Sequence, residues 1–364
     1  MIRPRHSGKA PFALSVLDNA LTGAGFSAQE VFNDVVGLAR LADERGYQRF
    51  WMSEHHAMPG ASIPSPQLMV ARLIGETRHI RLGAGGIMLP NHAPLMIAEQ
   101  FGMLDALAPG RIDLGLGRAP GTDGATAAAL RRHHGANDDF LEQIDELLGF
   151  LGNDFPAGHP YRGVPAVPGP WQDEQNRVPR ATSRADIWIL GSSIYSAHLA
   201  ARLGRPYAFA LQFGSADVLN AMRIYRENFR PSPFLDKPYS LVSVGVVAND
   251  DPVEARRQSA TAALAMLRMF QRKTFSIFPP EEVEAFRATF QERQVIEEYT
   301  DRVIHGTAAE VAQGLEELHG QTRVDEVMLV VQGHSRRVQS RTVELLADHY
   351  DMTAQTMTAQ NLTA

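Results

Sequence analysis

Eight short runs of mostly apolar residues punctuate the chain: Phe12–Leu17, Arg49–Met52, Ile80–Ala84, Ile112–Leu116, Ile187–Leu190, Tyr207–Leu211, Leu241–Val247 and Val327–Val331. A run such as Val327-Met328-Leu329-Val330-Val331 shows no polar alternation, which suits a strand buried on both faces of a parallel sheet. Between the runs the period changes. Ser27-Ala28-Gln29-Glu30 is a capping-box pattern, opening a helix expected to run to about Glu44 and stop at Gly46. Inside it Val31, Val35, Leu38, Leu41 and Ala42 recur at helical spacing and form one buried stripe. Thr307-Ala308-Ala309-Glu310 repeats the start signal before Val311, Leu315 and Leu318, with Gly320 as the expected end. Strand–helix alternation repeated in this way predicts an α/β protein, a TIM (β/α)8 barrel enlarged by insertions, in a single domain over 1–364. A doubly wound open sheet is the alternative, but no G-x-G-x-x-G follows the first run, so a dinucleotide fold has little support.

Two segments break the rhythm. Gly152 to Pro179 holds Pro156, Pro160, Pro165, Pro168 and Pro170, a density that sustains neither a helix nor a central strand. It reads as a long loop over one barrel mouth, an insertion spanning 152–180. The second insertion, 252–302, reads as mostly helical with a break at Pro279-Pro280. Loops of this length are uncommon unless they bind or cover something, so both are candidate lids; a solvated insertion is the alternative. The end, 353–364, reads as a frayed tail.

Composition narrows the function classes. With 35 Lys+Arg against 41 Asp+Glu the net charge is −6, which gives no global attraction to nucleic acid or an anionic membrane. Cysteine is absent, which excludes disulfides, thiolate metal sites and a Cys nucleophile. The first eight residues lack a secretory apolar run, and no stretch reaches the about 18 apolar residues of a bilayer span, so the expectation is a cytoplasmic protein.

In a barrel the strand ends feed the catalytic face, and four of them carry unusual residues. Behind the second run stands Ser53-Glu54-His55-His56. Adjacent histidines lack the HxH or HxxxH spacing that aims two imidazoles at one ion, so no metal is expected. A histidine acting as general base or hydrogen-bond donor is one reading, and one satisfied by loop backbone is the other. Behind the third run, Gly85-Gly86 permits close approach of a flat ligand or backbone geometry closed to side chains; a plain turn is the alternative. Arg118 leaves the fourth run between Gly117 and Ala119, suited to an anionic or planar ligand, or else to a salt bridge with a neighbouring loop. Gly191-Ser192-Ser193-Ile194-Tyr195-Ser196 opens a helix behind the fifth run, where hydroxyls and free amides make a phosphate site; N-capping by Ser192 or Ser193 is the alternative.

Taken together these strand ends resemble the bacterial luciferase-like flavin monooxygenases. The resemblance spans nearly the whole chain and is densest from Arg49 to Gly121. It rests on Trp51-Met52-Ser53-Glu54-His55-His56, on Gly85 to Pro94, on Glu99-Gln100-Phe101 with Leu104-Asp105, on Pro109 to Arg118, and on Gly191 to Ser196. It implies a barrel that uses reduced FMN as a co-substrate. It implies a catalytic histidine at His55 with His56 beside it, and a non-prolyl cis peptide at Gly85–Gly86. It implies a cofactor arginine at Arg118 and a phosphate-binding helix start over Gly191, Ser192, Ser193, Tyr195 and Ser196. Where luciferase itself has an acidic residue at that helix start, this chain has Ser192, so the cradle is expected to be more hydroxyl-based; light emission is not predicted.

The function so implied is an FMN-dependent monooxygenase that oxygenates a small organic substrate with O2, fed by a separate NAD(P)H:flavin reductase and assembled as a homodimer. A hydride transferase using coenzyme F420 on the same barrel is the alternative enzyme. A non-catalytic flavin-binding protein is the third reading, and it would tolerate loss of the histidines that this chain keeps.

Overall fold

The computed structural model describes residues 8–120, 122–132, 135, 137–178, 184–214, 217–271, 273 and 275–353. The tail beyond Thr353, Gly121, and Pro179 with residue 180 lie outside the described residues.

Eight parallel strands close into a barrel: β1 Ala13–Asp18, β2 Arg49–Met52, β3 Arg81–Met88, β4 Ile112–Gly117, β5 Asp186–Gly191, β6 Tyr207–Ala210, β7 Ser240–Ala248 and β9 Glu326–Val331. Closure comes from β9, which pairs with β7 (Val244↔Leu329) on one side and with β1 (Val16↔Leu329) on the other. All eight apolar runs are therefore barrel strands. A ninth strand, β8 Ile304–Gly306, carries no apolar run and was not expected. It pairs with Val246–Ala248 of β7, past the point where β6 ends.

Side chains fill the structure in two layers. Between sheet and helices lies the main core, with Val35, Leu38, Phe50, Leu73, Phe101, Leu114 and Leu329 among its buried members. Inside the barrel sits a smaller cluster of Leu17, Trp51, Trp188, Tyr239, Leu241, Met328 and Val330. Trp51 explains one glycine of the third strand: a Cβ on Gly85 would stand 2.5 Å from the Trp51 ring.

The helix signals are mostly met. The Ser27 capping box opens a helix over Ala28–Glu44, and Gly46 comes after it with a φ of +78° that favours glycine. The Thr307 box opens Ala308–Thr322, so the helix passes through Gly320 and ends only at Arg323 in a left-handed conformation. Gly320 does not take the positive φ of a helix stop; Arg323 does, at +52°.

The insertions differ in place as well as in content. The first contains a short helix, Pro170–Gln175, which the proline count argued against; Pro170 takes the first helical position, where its missing N–H costs nothing. Its neighbours are on the barrel flank: Val167 N–H donates to Glu99 on the helix Pro94–Leu107, and Phe155 stacks edge-on against Phe150. The second insertion holds helices Pro252–Phe270, Pro280–Ala285 and Phe290–Asp301, broken as expected at Pro279-Pro280. Between the first two, residues 275–279 lie at the barrel mouth, where Ile277 bridges Gly23 and Phe275 lies against Gly60. No helix among the described residues is long and apolar enough to cross a membrane.

Candidate active site

The site is built from residues just beyond the carboxyl ends of β1 to β5. Ser53, Glu54, His55 and His56 leave β2 in succession, and consecutive side chains diverge. The two histidines therefore acquire different partners. Ser53 Oγ donates to Asn19 Oδ1 at 2.7 Å and lies 3.1 Å from His55 Nδ1. A hydroxyl has one proton; since that proton goes to Asn19, the Ser53 oxygen accepts from Nδ1–H of His55. The tautomer leaves Nε2 with an open lone pair. Burial pushes the His55 imidazole below its ordinary value, the Glu54 charge pulls it back up, and His56 lowers it further. The ring is thus neutral at pH 7, with a free basic nitrogen.

His56 has no such freedom. Its Nε2 lies 2.8 Å from Glu54 Oε1, while His92 Nε2 lies 3.0 Å from each Glu54 oxygen. Met88 N–H (3.0 Å) and Asn91 Nδ2 (3.1 Å) donate to the same carboxylate. Burial pushes the Glu54 carboxyl up, but the bond and charge of His92, with the bonds from His56 and Met88, outweigh it and hold the group below its usual value. An ionised carboxylate only accepts, so both imidazoles donate through Nε2–H. Glu54, His56 and His92 offer three ligand-type atoms within 4.8 Å of one another, a spacing a cation would also accept. With two further N–H groups on the same carboxylate, the cluster is satisfied as a hydrogen-bonded anion.

Gly85 and Gly86, expected behind the third strand, lie within β3, because the strand runs on to Met88 with its register against β4 shifting between Gly85 and Ile87. A Cβ on Gly86 would stand 2.7 Å from the Gly115 carbonyl oxygen, so the space these residues leave is taken by the fold; Gly86 is buried and Gly85 half-buried. The Gly85–Gly86 peptide is cis, as the resemblance implied.

Arg118 and the helix start behind β5 come together. The exposed Arg118 guanidinium lies 4.4 Å from the centre of the Tyr195 ring, a cation–π contact that joins the ends of β4 and β5. Ser192 and Ser193 are exposed, and Ser193 occupies the N-cap of the helix Ile194–Leu203 without a side-chain capping bond. The capping alternative is thus not what the hydroxyl does. Ser196 departs from the expected set: it is buried, its hydroxyl donates to Ser193 O at 2.7 Å and meets Tyr207 Oη at 3.1 Å. It braces the turn from within. Gly191 is needed beside it, since a Cβ there would stand 2.3 Å from Ser196 Oγ.

These donors fit a phosphate-bearing cofactor: a guanidinium, two unspent hydroxyls and the free amides of a helix start. Sequence reasoning passed over Asn19, Ser53, Glu54, Asn91 and His92 as site residues, although four of them lie within the motifs that carry the resemblance. Two cavities lie elsewhere. One of about 710 Å³ opens between helix Phe140–Gly152 and the amino ends of β5 and β6, and one of about 280 Å³ lies beneath Ala166–Pro170.

The model of the luciferase-like monooxygenase family matches residues 12–325. A luciferase-like monooxygenase of Escherichia coli is 39% identical over 338 residues, 92% of this chain and 96% of its own. An N-acetyl-S-alkylcysteine monooxygenase of Bacillus subtilis is 32% identical over 337 residues, covering 92% and 97%. Among solved structures, apo-MsnO8 matches with a TM-score of 0.83 and 32% identity, over 94% of this chain and 99% of that one. Likeness of fold alone extends to an FMN complex of the oxygenating constituent of 3,6-diketocamphane monooxygenase from Pseudomonas putida, with a TM-score of 0.68, 18% identity and coverage of 92% and 96%. It also extends to an F420-dependent secondary alcohol dehydrogenase, with a TM-score of 0.68, 12% identity and coverage of 93% and 97%.

Proposed function

The chain belongs to the luciferase-like monooxygenase family, and from that premise we propose that it is the oxygenase of a two-component system, using reduced FMN and O2 on a small organic substrate. The observation that carries the reading is His55: a half-buried neutral imidazole, oriented through Nδ1 and open at Nε2, on the face that holds the Arg118–Tyr195 pair. Reduced FMN, when bound, supplies the electrons that activate O2. The chain's own residues do the rest. Arg118, the Ser192 and Ser193 hydroxyls and the first amides of helix Ile194–Leu203 hold the phosphate. Backbone at Gly85 and Gly86 would let a flat ring approach closely, and Gly191 opens the turn that would hold the phosphate. His55 Nε2 takes up and returns a proton at the substrate side. The stretch around Phe275 and Ile277 covers the mouth beside the loop behind β2 and keeps water out. His56 holds the loop through Glu54 and is a positioning residue in this scheme. Electrons come from a separate NAD(P)H:flavin reductase.

Assembly as a homodimer has a surface to support it. The helix Pro94–Leu107 is apolar nearly all round, and Met96, Met103 and Leu107 are 54%, 56% and 62% exposed on its outer side, with Leu68 at 73% on the adjoining helix Pro66–Ile74. A second copy of the chain is the occupant proposed for this face.

Anaerobic titration tests the cofactor. Reduced FMN is expected to bind more tightly than oxidised FMN, and FMN more tightly than FAD or coenzyme F420. Equal affinity for FAD overturns the single-phosphate cradle, and preference for F420 moves the chain to hydride transfer.

A further inference from the structure

Behind the histidine loop, one polar chain runs to the loop that carries the cofactor arginine. Glu54 Oε1 accepts from Asn91 Nδ2 at 3.1 Å, and the same Nδ2 donates to the carbonyl of Pro120 at 3.0 Å. Asn91 Oδ1 accepts from Arg132 Nη1 at 2.7 Å, and Arg132 Nη2 donates to the carbonyl of Arg118 at 2.8 Å and to Asn137. Thr122 Oγ1 ties the far side of the loop to the His56 carbonyl at 2.8 Å. The orientation of Asn91 is fixed by its neighbours: a carboxylate and a carbonyl only accept, and a guanidinium only donates, so the amide has one way to sit. Both its hydrogens and its oxygen are used.

The consequence concerns Arg118. Its side chain is exposed and its one ring contact, with Tyr195, is a weak one at such an exposed site. That contact cannot by itself fix a loop that runs from Gly117 of β4 to the helix Gly124–Ala129. The bonds that hold the loop grip its backbone instead, at Arg118 and at Pro120, and they originate in the buried Glu54. We infer that Asn91 and Arg132 are positioning residues for the cofactor arginine, so that the histidine loop behind β2 and the Arg118 loop behind β4 are set as one unit by the Glu54 carboxylate. This rests on the reading of Arg118 as a cofactor contact. Neither Asn91 nor Arg132 need touch the cofactor.

Two measurements test it, the first of them separately from that reading. The first uses the flavin-free chain: amide hydrogen exchange at Arg118 and Ala119 is expected to accelerate in Arg132→Met and in Asn91→Ala, with the thermal midpoint unchanged. Unaltered exchange in both variants overturns the inference. The second is a double-mutant cycle read by the Kd for reduced FMN. Arg132→Met is expected to weaken binding about tenfold in the parent and less than about twofold in Arg118→Ala, because a positioning residue has nothing left to position. Equal effects in both backgrounds overturn it, since Arg132 would then act on its own. Should Arg132→Met fold poorly, Arg132→Lys takes its place: it keeps the charge but cannot span Asn91 and the Arg118 carbonyl, so it should still weaken binding. If the parent itself binds no flavin, the proposed function fails while the exchange result still decides the positioning.

Discussion

At the amino end of the barrel Arg49, Asp113 and Glu326 are wholly buried and bonded to one another, whereas at the carboxyl end His55, Arg118, Ser192 and Ser193 keep hydrogen-bonding capacity in hand. Arg49 donates to Asp113 at 2.9 Å and to Glu326 at 3.0 Å, Trp51 Nε1 and Arg81 complete Asp113, and the hydroxyls of Tyr239 (2.7 Å) and Ser15 complete Glu326. Among the described residues, Arg49 Nη2 and the adjoining Trp188 Nε1 make no bond there, both walled off from solvent, and the Arg49 guanidinium lies 4.6 Å from the centre of the Trp188 ring. That cluster is closed, so it specifies the fold and has nothing to offer a ligand. The carboxyl-end residues are oriented but unspent. Saturation, more than the presence of charge, separates a structural polar cluster from the candidate functional one in this barrel. The Glu54 cluster is intermediate: saturated like the first, but placed among the second.

The sharpest way to break this comparison is at His55. His55→Ala should retain flavin binding and stability yet lose turnover by about 10²–10⁴-fold, as removal of an acid–base group does. His56→Ala should cost less in turnover, since its Nε2–H is spent on Glu54. Steady-state rates of both variants decide it, and a reversed order swaps their roles. Because His55 is depressed in the folded state, its neutral form contributes stability that is present above the unfolded value and lost as pH falls through the folded pKa. The acid limb of the parent's pH–rate profile should disappear in any His55→Ala residual activity.

At the closed end the expected effect is on stability. Asp113→Ala leaves Arg49 and Arg81 buried without their shared partner and should cost about 3–5 kcal/mol in urea unfolding. Burial pushes the Asp113 carboxyl up, but the two guanidinium groups hold it below the usual carboxylate value. Its contribution is therefore complete above the unfolded pKa and is lost as pH falls, so Asp113→Asn should flatten the acid side of the stability curve. Flavin affinity should not change in whatever fraction folds. If it does, the two ends are coupled and the comparison fails.

Arg118→Ala should weaken reduced-FMN binding by about 1–3 kcal/mol, the value of a charge-assisted bond, without a shift in thermal midpoint. Unchanged affinity would make the arginine structural. Ser193→Ala should cost less, about 0.5–1.5 kcal/mol of binding, and nothing in helix stability, because this hydroxyl does not cap the helix. A loss of stability instead would restore the capping role. On the outer surface, Met103→Glu should convert a dimer to a monomer in light scattering while leaving the barrel intact.

Much of the fold was legible because its signals are local. Each barrel strand is a run of apolar residues, and the Ser27 and Thr307 boxes place two helix starts to the residue. β8 was not legible, since Ile304-His305-Gly306 becomes a strand only where β7 outlasts β6. The Pro-rich segment was read as a lid from its composition, yet its contacts lie on the barrel flank; composition says that a stretch is irregular and not which neighbour it meets. Of the candidate site, Ser196 shows the same limit, because a serine in a helix start looks alike whether it faces the mouth or the Tyr207 hydroxyl.

By itself the sequence determined the barrel, the strand ends from which chemistry is offered, and the residue types offered there. Which nitrogen of His55 is free, that His56 is occupied, and that Asn91 and Arg132 hold the Arg118 loop were decided only in three dimensions. The physical reason is that residue type sets how many hydrogen bonds a group can make, while the fold sets how many of them are already taken. Asn19 and Ser53 are 34 positions apart, and Asn91 and Arg132 are 41 apart, so no local pattern records those pairings.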